Sequence, residues 1–185
     1  TKEALDLLND EVARFEHLVQ DLLDLSRSDS GPMENDLVNI EELVKATLKL
    51  TEGGASLEII GTARGALVMG DKRRLAQVLD NLLRNAQKYG GGVTRITVAP
   101  NGKQIEIAVE DSGPGVAPSE RSLVFERFTR GAAARKRGAG DGAGLGLALV
   151  DEHARRHGGS ARVEGKSDGE PGARFVITLP RAGRR

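Results

Sequence analysis

The sequence predicts an α+β domain with a long heptad helix ahead of it. Three observations carry that reading. Apolar residues near the start recur at helical heptad spacing, the stretch LAQVLDNLLRNAQKY is strongly amphipathic, and several short β-type runs are separated by glycine-rich turns.

Leu5, Leu8, Val12, Phe15, Val19 and Leu22 recur at spacings of 3, 4, 3, 4 and 3, and Leu7, Leu18 and Leu25 widen the seam. A helix over about residues 3–27 would run roughly 37 Å at 1.5 Å per residue. A seam of that length is expected to pack against other helices, so self-association is expected. Ser26 to Pro32 then reads as a linker. Leu37, Val38 and Ile40 form a short strand or its end, and Asn39 followed by Glu42 is a capping-box-like start to a helix through about Leu50. Leu57 to Ile60 and Ala66 to Met69 are strand candidates, and Asp71 can cap a helix that runs to Tyr89. Thr94 to Ala99 and Gln104 to Asp111 look like a hairpin turning at Pro100-Asn101-Gly102. Residues 112–143 are mostly irregular. Leu145 to His157 is a helix, and Ala161 to Lys166 and Ala173 to Leu179 close the domain as strands. The expected division is 1–30 for the helix, 31–181 for the domain and 182–185 for a basic tail.

The 185 residues allow one globular domain plus a smaller element. The formal net charge is zero, which gives no reason to expect nucleic-acid binding. Cysteine is absent, which excludes disulfides and thiolate metal sites. No apolar run approaches a membrane span and no signal peptide is visible, so a soluble, cytoplasmic chain is expected. The first residue is Thr1 and not a methionine, so a membrane anchor can lie in a part of a longer protein that precedes it.

Read as a helix, Leu75 to Tyr89 places Leu75, Val78, Leu79, Leu82, Leu83 and Ala86 on one apolar face. Asn81, Asn85 and Lys88 line its border, with Tyr89 one turn after Asn85. Asparagine is a poor helix former, so two beside a core stripe suggest a task. Their amides are neutral oxygen ligands of the kind a hard cation accepts, and Lys88 supplies charge for phosphate. The plainer reading is two solvated asparagines on an ordinary amphipathic helix.

Ile105, Ile107 and Val109 share one face of their strand and Glu106 and Glu110 the other. Asp111 continues the apolar parity, so a carboxylate emerges on the core side and needs a partner. The alternative is a turn aspartate ahead of Gly-Pro-Gly. Gly113 and Gly115 let the backbone turn tightly and approach a ligand. Residues 112–143 are too many for a connecting loop unless they form a lid. Leu123, Val124, Phe125 and Phe128 can dock it apolarly, while Arg121, Arg127, Arg130, Arg135, Lys136 and Arg137 make it basic. Gly142, Gly144 and Gly146, interleaved with Leu145 and Leu147, lead into a helix whose free amides can face phosphates. No GxxxxGK[ST] exists, and the glycines do not follow a strand, so neither a P-loop nor a Rossmann site is indicated.

In this order, the asparagine helix, DSGPG at 111–115, FERF at 125–128 and GAGLGL at 142–147 closely resemble the N, G1, F and G2 boxes of sensor histidine kinases. The resemblance extends from the first helix to Pro180. It implies the Bergerat ATP-binding fold shared with gyrase, Hsp90 and MutL: a two-layer α/β sandwich, its mixed sheet carrying helices on one face. It implies ATP and Mg2+ as cofactors, with Asn85 on the metal, Lys88 on phosphate and Tyr89 against the nucleotide. Asp111 would accept a hydrogen bond from the adenine amino group, and Arg127 or Arg130 would meet the phosphates. Asn81, Gly113, Gly115, Phe128, Gly142, Gly144, Leu145, Gly146 and Leu147 complete the implied nucleotide site, and Asn85, Lys88 and Arg127 its catalytic part.

Related ATPases place a water-activating glutamate one turn before the metal-binding asparagine. Here that place is Asn81, so transfer to a protein acceptor is expected over hydrolysis. The family phosphorylates a histidine in a pattern like H-E-x-x-x-P on the first helix of a dimerisation hairpin; the heptad helix corresponds to the second. His17, His153 and His157 are the only histidines, and none has that context. His17 is expected to be solvated, and His153 and His157 structural. The acceptor histidine is therefore expected on a helix outside this chain, in the same full-length protein or on another polypeptide, and Thr1 favours a fragment. The implied protein partners are a second copy of the chain and a response regulator. Two alternatives are a serine/threonine kinase of the anti-sigma-factor type and a non-catalytic ATP-gated dimerisation module.

Overall fold

The computed structural model describes residues 32–49, 55–129, 144–166 and 168–183, together with Ala4, Leu5, Leu8, Asn9, Val12, Phe15, Glu16, Val19, Leu22 and Leu23. Those ten early residues are helical, and all six seam positions among them are exposed. His17, Arg130, Gly142 and the basic run at 135–137 lie outside the described residues.

The chain enters the domain through β1 (Asp36–Asn39) and α1 (Ile40–Lys49). The Asn39 side chain accepts from the Glu42 amide at 3.2 Å, the half of the capping box that stabilises the first turn. Glu41 in that turn accepts from Lys45 at 2.6 Å and from the Gly65 amide at 3.1 Å, which ties α1 to the turn ahead of β3. β2 (Ser56–Ile59) and β3 (Leu67–Gly70) follow, and β3 pairs antiparallel with β1 in a two-stranded ribbon. α2 (Lys72–Tyr89) is capped by Asp71, whose carboxylate accepts from the Arg74 amide at 3.1 Å.

β4 (Val93–Asn101) and β5 (Gln104–Asp111) form the expected hairpin, but its turn is two residues tighter in effect than the sequence suggested. Asn101 faces Gln104, leaving only Gly102 and Lys103 at the tip, with Gly102 at φ +59°. Pro100 sits in the ladder opposite Ile105. It is tolerated there because β2 pairs only with residues 95–98, so the missing amide faces an open edge. Single helical turns at Pro118–Glu120 and Leu123–Phe125 precede α3 (Gly146–Arg156), and β6 (Ser160–Gly165) and β7 (Ala173–Pro180) complete the chain.

The main sheet has the order β2-β4-β5-β7-β6, with β2 and β4 parallel and every other pair antiparallel. This is the mixed sheet that the box resemblance implied. One face supplies Ile96, Val98, Ile105, Ile107, Val109, Phe175, Ile177 and Leu179 to the core, where α2 contributes Leu75, Val78, Leu79, Leu82, Leu83 and Ala86. Burying one such leucine contributes about 1.5–3 kcal/mol relative to leaving it in water. The opposite face is roofed by ion pairs. Arg174 bonds Glu106 at 2.9 Å and also Glu164, and lies 3.4 Å from Glu110, while Arg162 bonds Glu106 at 2.9 Å. Burial works to raise the Glu106 carboxyl, but the hydrogen bonds from Arg162 and Arg174 outweigh it and hold it below the usual carboxylate range.

His157 pins the end of α3 to the start of α2. Its Nε2 accepts from the Asp71 amide at 3.0 Å, and its Nδ1 donates to the His153 carbonyl at 2.6 Å. Gly70 makes room, since a Cβ there would stand 2.3 Å from the imidazole. His153 reaches Gln77 of α2 at 3.2 Å. Both histidines are buried between the two helices, in the structural role expected of them. Among the described residues no helix is long and apolar enough to cross a membrane.

Candidate functional site

α2 buries its leucines against the sheet and turns Asn81, Asn85, Lys88 and Tyr89 towards its border. Asn81 is 6% exposed; Asn85, Lys88 and Tyr89 are half-buried. Lys88 Nζ lies 5.4 Å from the centroid of the Tyr89 ring, within cation–π range. Arg84 Nη2 donates to Asn81 Oδ1 at 2.8 Å and pairs with Asp80 Oδ2 at 2.8 Å. Asn81 Nδ2 is buried and has no hydrogen-bond partner. The first residue of α3 packs over this amide: a Cβ on Gly146 would stand 3.7 Å from Asn81 Cγ and Oδ1.

Just past the C-terminal end of α2 the chain makes a three-glycine turn that packs on the end of β5. Asp111 is 4% exposed, and its Oδ1 accepts from the amides of Gly113 at 3.0 Å and Ala173 at 2.9 Å. The core-side carboxylate read from strand parity is therefore present and held by two backbone donors on one oxygen. Ser112 donates its amide to the Gly90 carbonyl at 3.0 Å and its hydroxyl to the same oxygen at 3.2 Å. No side chain fits at Gly90, because a Cβ would fall 2.4 Å from Asp111 Cγ. Gly172, at φ +142°, would place a Cβ 2.1 Å from the Asp111 carbonyl oxygen, and Gly115 at φ +75° packs against Gly172.

Gly90, Gly172 and Ala173 join the site without a local signal in the sequence that ties them to Asp111. The glycine run after α2 was visible as a helix stop. Its contact with Asp111, some twenty positions on, was not.

The irregular stretch returns to α3 through a backbone contact. The Phe128 amide donates to the Gly144 carbonyl at 3.1 Å, and a Cβ on Gly144, at φ +72°, would stand 2.7 Å from Thr129 O. Phe128 itself has φ +63°, a conformation costing a non-glycine residue about 1–3 kcal/mol. The expected apolar docking of four side chains is corrected here. Val124 is buried and Phe125 packs against the core, whereas Leu123 and Phe128 are exposed, Phe128 at 66%. The left-handed backbone at Phe128 accompanies its outward position. Leu145 is buried and Leu147 packs on the core, so what these two offer a ligand is backbone. Arg127 is exposed on the turn beside them.

Among the described residues no group of three or more histidines, cysteines or carboxylates could hold a metal ion. A hard cation here would need ligand oxygens beside a neutral amide. The remaining donors fit an anionic ligand of that kind: an unpartnered buried amide, the amide-rich entry to α3, and Lys88 on the same edge of α2.

The chain belongs to the histidine kinase-, DNA gyrase B- and HSP90-like ATPase family, whose model matches residues 70–183. Within it, the resemblance to sensor histidine kinases holds. The signal transduction histidine-protein kinase/phosphatase MprB of Mycobacterium sp. (strain KMS) is 38% identical over 188 residues, covering 97% of this chain and 36% of that protein. MprB of Mycobacterium leprae is 35% identical over a similar span. The chain thus spans little more than a third of the curated relatives it matches. Among solved structures, the mycobacterial sensor histidine kinase MprB aligns with TM-score 0.65 at 28% identity, over 81% of this chain and 99% of that one. The ATP binding domain of PrrB from Mycobacterium tuberculosis gives 0.61 at 29%, with the same coverage. Full-length ShkA in complex with AMPPNP gives 0.75 at 27%, over 99% of this chain and 39% of that one.

Proposed function

We propose that this chain binds Mg2+-ATP and transfers the γ-phosphoryl group to a histidine on a dimerisation helix outside it, for onward passage to a response regulator. The observation that carries this reading is a pair of polar groups along one helix edge, a buried carboxylate at its C-terminal end and an unpartnered buried amide at its middle. The Asp111 carboxylate adjoins the C-terminal end of α2, and the unpartnered Asn81 amide lies two turns earlier, roughly 12 Å along the axis at 1.5 Å per residue. A base at one end and phosphates at the other suit that spacing.

In this reading Asp111 accepts from the adenine amino group and Tyr89 lies along the nucleotide. Asn85 supplies the oxygen that holds Mg2+, and Lys88 and Arg127 meet phosphate charge, with Arg130 as the alternative arginine. Gly113 and Gly115, and Gly142, Gly144 and Gly146 on the phosphate side, let backbone approach the ligand, and Phe128 flanks it. The chemistry the metal supplies is neutralisation of charge on the phosphate oxygens. The protein's own contribution is to position the phosphates and stabilise charge. Asn81 is not a base, so nothing at its position activates water, and the acceptor is a protein nucleophile. A homodimer through the exposed seam of the first helix would deliver that acceptor, in the cytoplasmic part of a longer sensor.

The test is radiolabelled ATP with this chain and a separately supplied hairpin helix carrying the acceptor histidine. Acid-labile label on the added helix supports the proposal. Acid-stable label would mean a serine/threonine kinase, and nucleotide binding without label a dimerisation module. Stoichiometric acid-labile label on this chain alone, lost on changing His17, would place the acceptor here instead.

A further inference from the structure

We infer that Arg84 is a positioning residue that locks the Asn81 amide with its NH2 group inward, making Asn81 a hydrogen-bond donor to a nucleotide phosphate oxygen and not an oxygen ligand of the cation. The inference rests on the nucleotide reading of the site and assigns a polarity within it.

A guanidinium carries only donors, so the Asn81 atom facing Arg84 at 2.8 Å is the carbonyl oxygen. Turning the amide over would set N–H against N–H. Arg84 is held in turn by Asp80 on the previous turn, an i, i+4 pair at 2.8 Å, so the guanidinium does not swing away without losing two bonds. The consequence falls on Nδ2, which is buried without an acceptor in a side chain only 6% exposed. An unpaired buried N–H is costly, and native structures tolerate it where a ligand completes it. The element packed over this amide is the start of α3, with the Gly146 Cβ position 3.7 Å from Asn81 Cγ. The first-turn amides of that eleven-residue helix have no partners within it, and the helix presents positive charge there. A donor amide beside donor backbone calls for an acceptor bearing negative charge, which on a nucleotide is phosphate. Asn81 and Asn85 thereby divide the work: Asn85, one turn on and without that clamp, is left to face the metal with oxygen.

The experiment measures ATP and ADP affinity by calorimetry, each with and without Mg2+, for wild type, Arg84→Met, Arg84→Lys, Asn81→Ala, Asn81→Asp and Arg84→Met/Asn81→Ala. Thermal melts report folding; Arg84 is surface-accessible, so its variants should fold. Arg84→Met should weaken ATP roughly three- to tenfold and Arg84→Lys less, since lysine still donates to the carbonyl. Asn81→Asp should weaken ATP more than tenfold, with no recovery on adding Mg2+, because a carboxylate meets phosphate. The decisive result is coupling: Arg84→Met should cost nothing further once Asn81 is alanine. Additive losses, or unchanged affinity in Arg84→Met, would overturn the inference while leaving the nucleotide reading intact. Tighter Mg2+-dependent binding by Asn81→Asp would make position 81 a metal ligand and also overturn it. Wild type that bound no ATP would remove both readings together.

Discussion

Two positions along α2 are built differently. At the C-terminal end Asp111 has two backbone donors on one oxygen, and glycines at 90 and 172 leave space for nothing but backbone. Midway along the helix, under the start of α3, one amide group is unpartnered, and beside that start Phe128 holds a left-handed conformation with its ring in solvent. The first has its backbone frame in place before any ligand arrives. The second carries strain and an unmade hydrogen bond, each of order 1–3 kcal/mol, and a ligand can supply the missing acceptor. Recognition of the base is thus expected to rest on a rigid cradle, and response to phosphate on the second position.

The sharpest break between the two positions should come from Asn85→Ala. It is expected to lower Mg2+-dependent transfer to a supplied acceptor helix by at least about 100-fold, the scale of removing one charge-stabilising group, while ATP binding falls much less. Wild-type transfer rates in that variant would remove Asn85 as the metal ligand.

Asp111→Asn and Asp111→Ala test the C-terminal position. Losing a charge-assisted hydrogen bond should weaken ATP by about 1.5–3 kcal/mol, and weaken ADP and ATP alike because the loss sits at the base. Equal affinity by calorimetry would sink the adenine contact. A preference restored by guanine nucleotides in Asp111→Asn would instead sharpen it.

Gly172→Ala carries a smaller expectation for binding and a larger one for the frame. Its φ of +142° and the 2.1 Å approach to Asp111 O leave no room for a Cβ. Unfolding stability should fall by about 1–3 kcal/mol. Urea midpoints should move before nucleotide affinity does. A variant as stable as wild type would show that the Asp111 cradle yields more readily than its contacts suggest.

Much of this was legible because it is local. The apolar face, the Asp71 cap and the asparagine border of α2 are read from spacing within one helix, and Asp111 from the alternation of one strand. What escaped is non-local. Glu106 and Glu110 share the strand face away from the core, yet Glu110 is 3% exposed, because Arg174 arrives beside it from a strand some sixty positions later. The exclusion of side chains at Gly90 and Gly172 depends on Asp111 in the same way. Arg84 is the exception. At i+3 from Asn81 its contact lies within helical reach, so that pairing is legible from spacing alone.

A last test separates the frame from both positions. His157 joins α3 to α2, with Asp71 and Arg74 facing it from α2 and Arg156 from its own helix. Burial holds its imidazole below the ordinary histidine range, outweighing the hydrogen bond to the His153 carbonyl and the attraction of Asp71. Protonation would also turn Nε2 from acceptor into donor against the Asp71 amide. A depressed folded-state value means stability is full above the unfolded value of about 6.5 and is lost as pH falls towards the folded one. From pH 7.5 to 5.5 unfolding free energy should decline, by no more than about 1.4 kcal/mol per pH unit for one proton. Glu106 and Asp71 do not confuse that window, since both are lowered from carboxylate values that already lie beneath it. His157→Gln should flatten the slope at some cost in stability at pH 7.5. If the two ligand-facing positions on α2 answer only to their own contacts, ATP affinity at fixed folded fraction should not follow the same profile. An affinity that fell in step with stability, and stopped doing so in His157→Gln, would show that the joint at His157 couples the frame to the site.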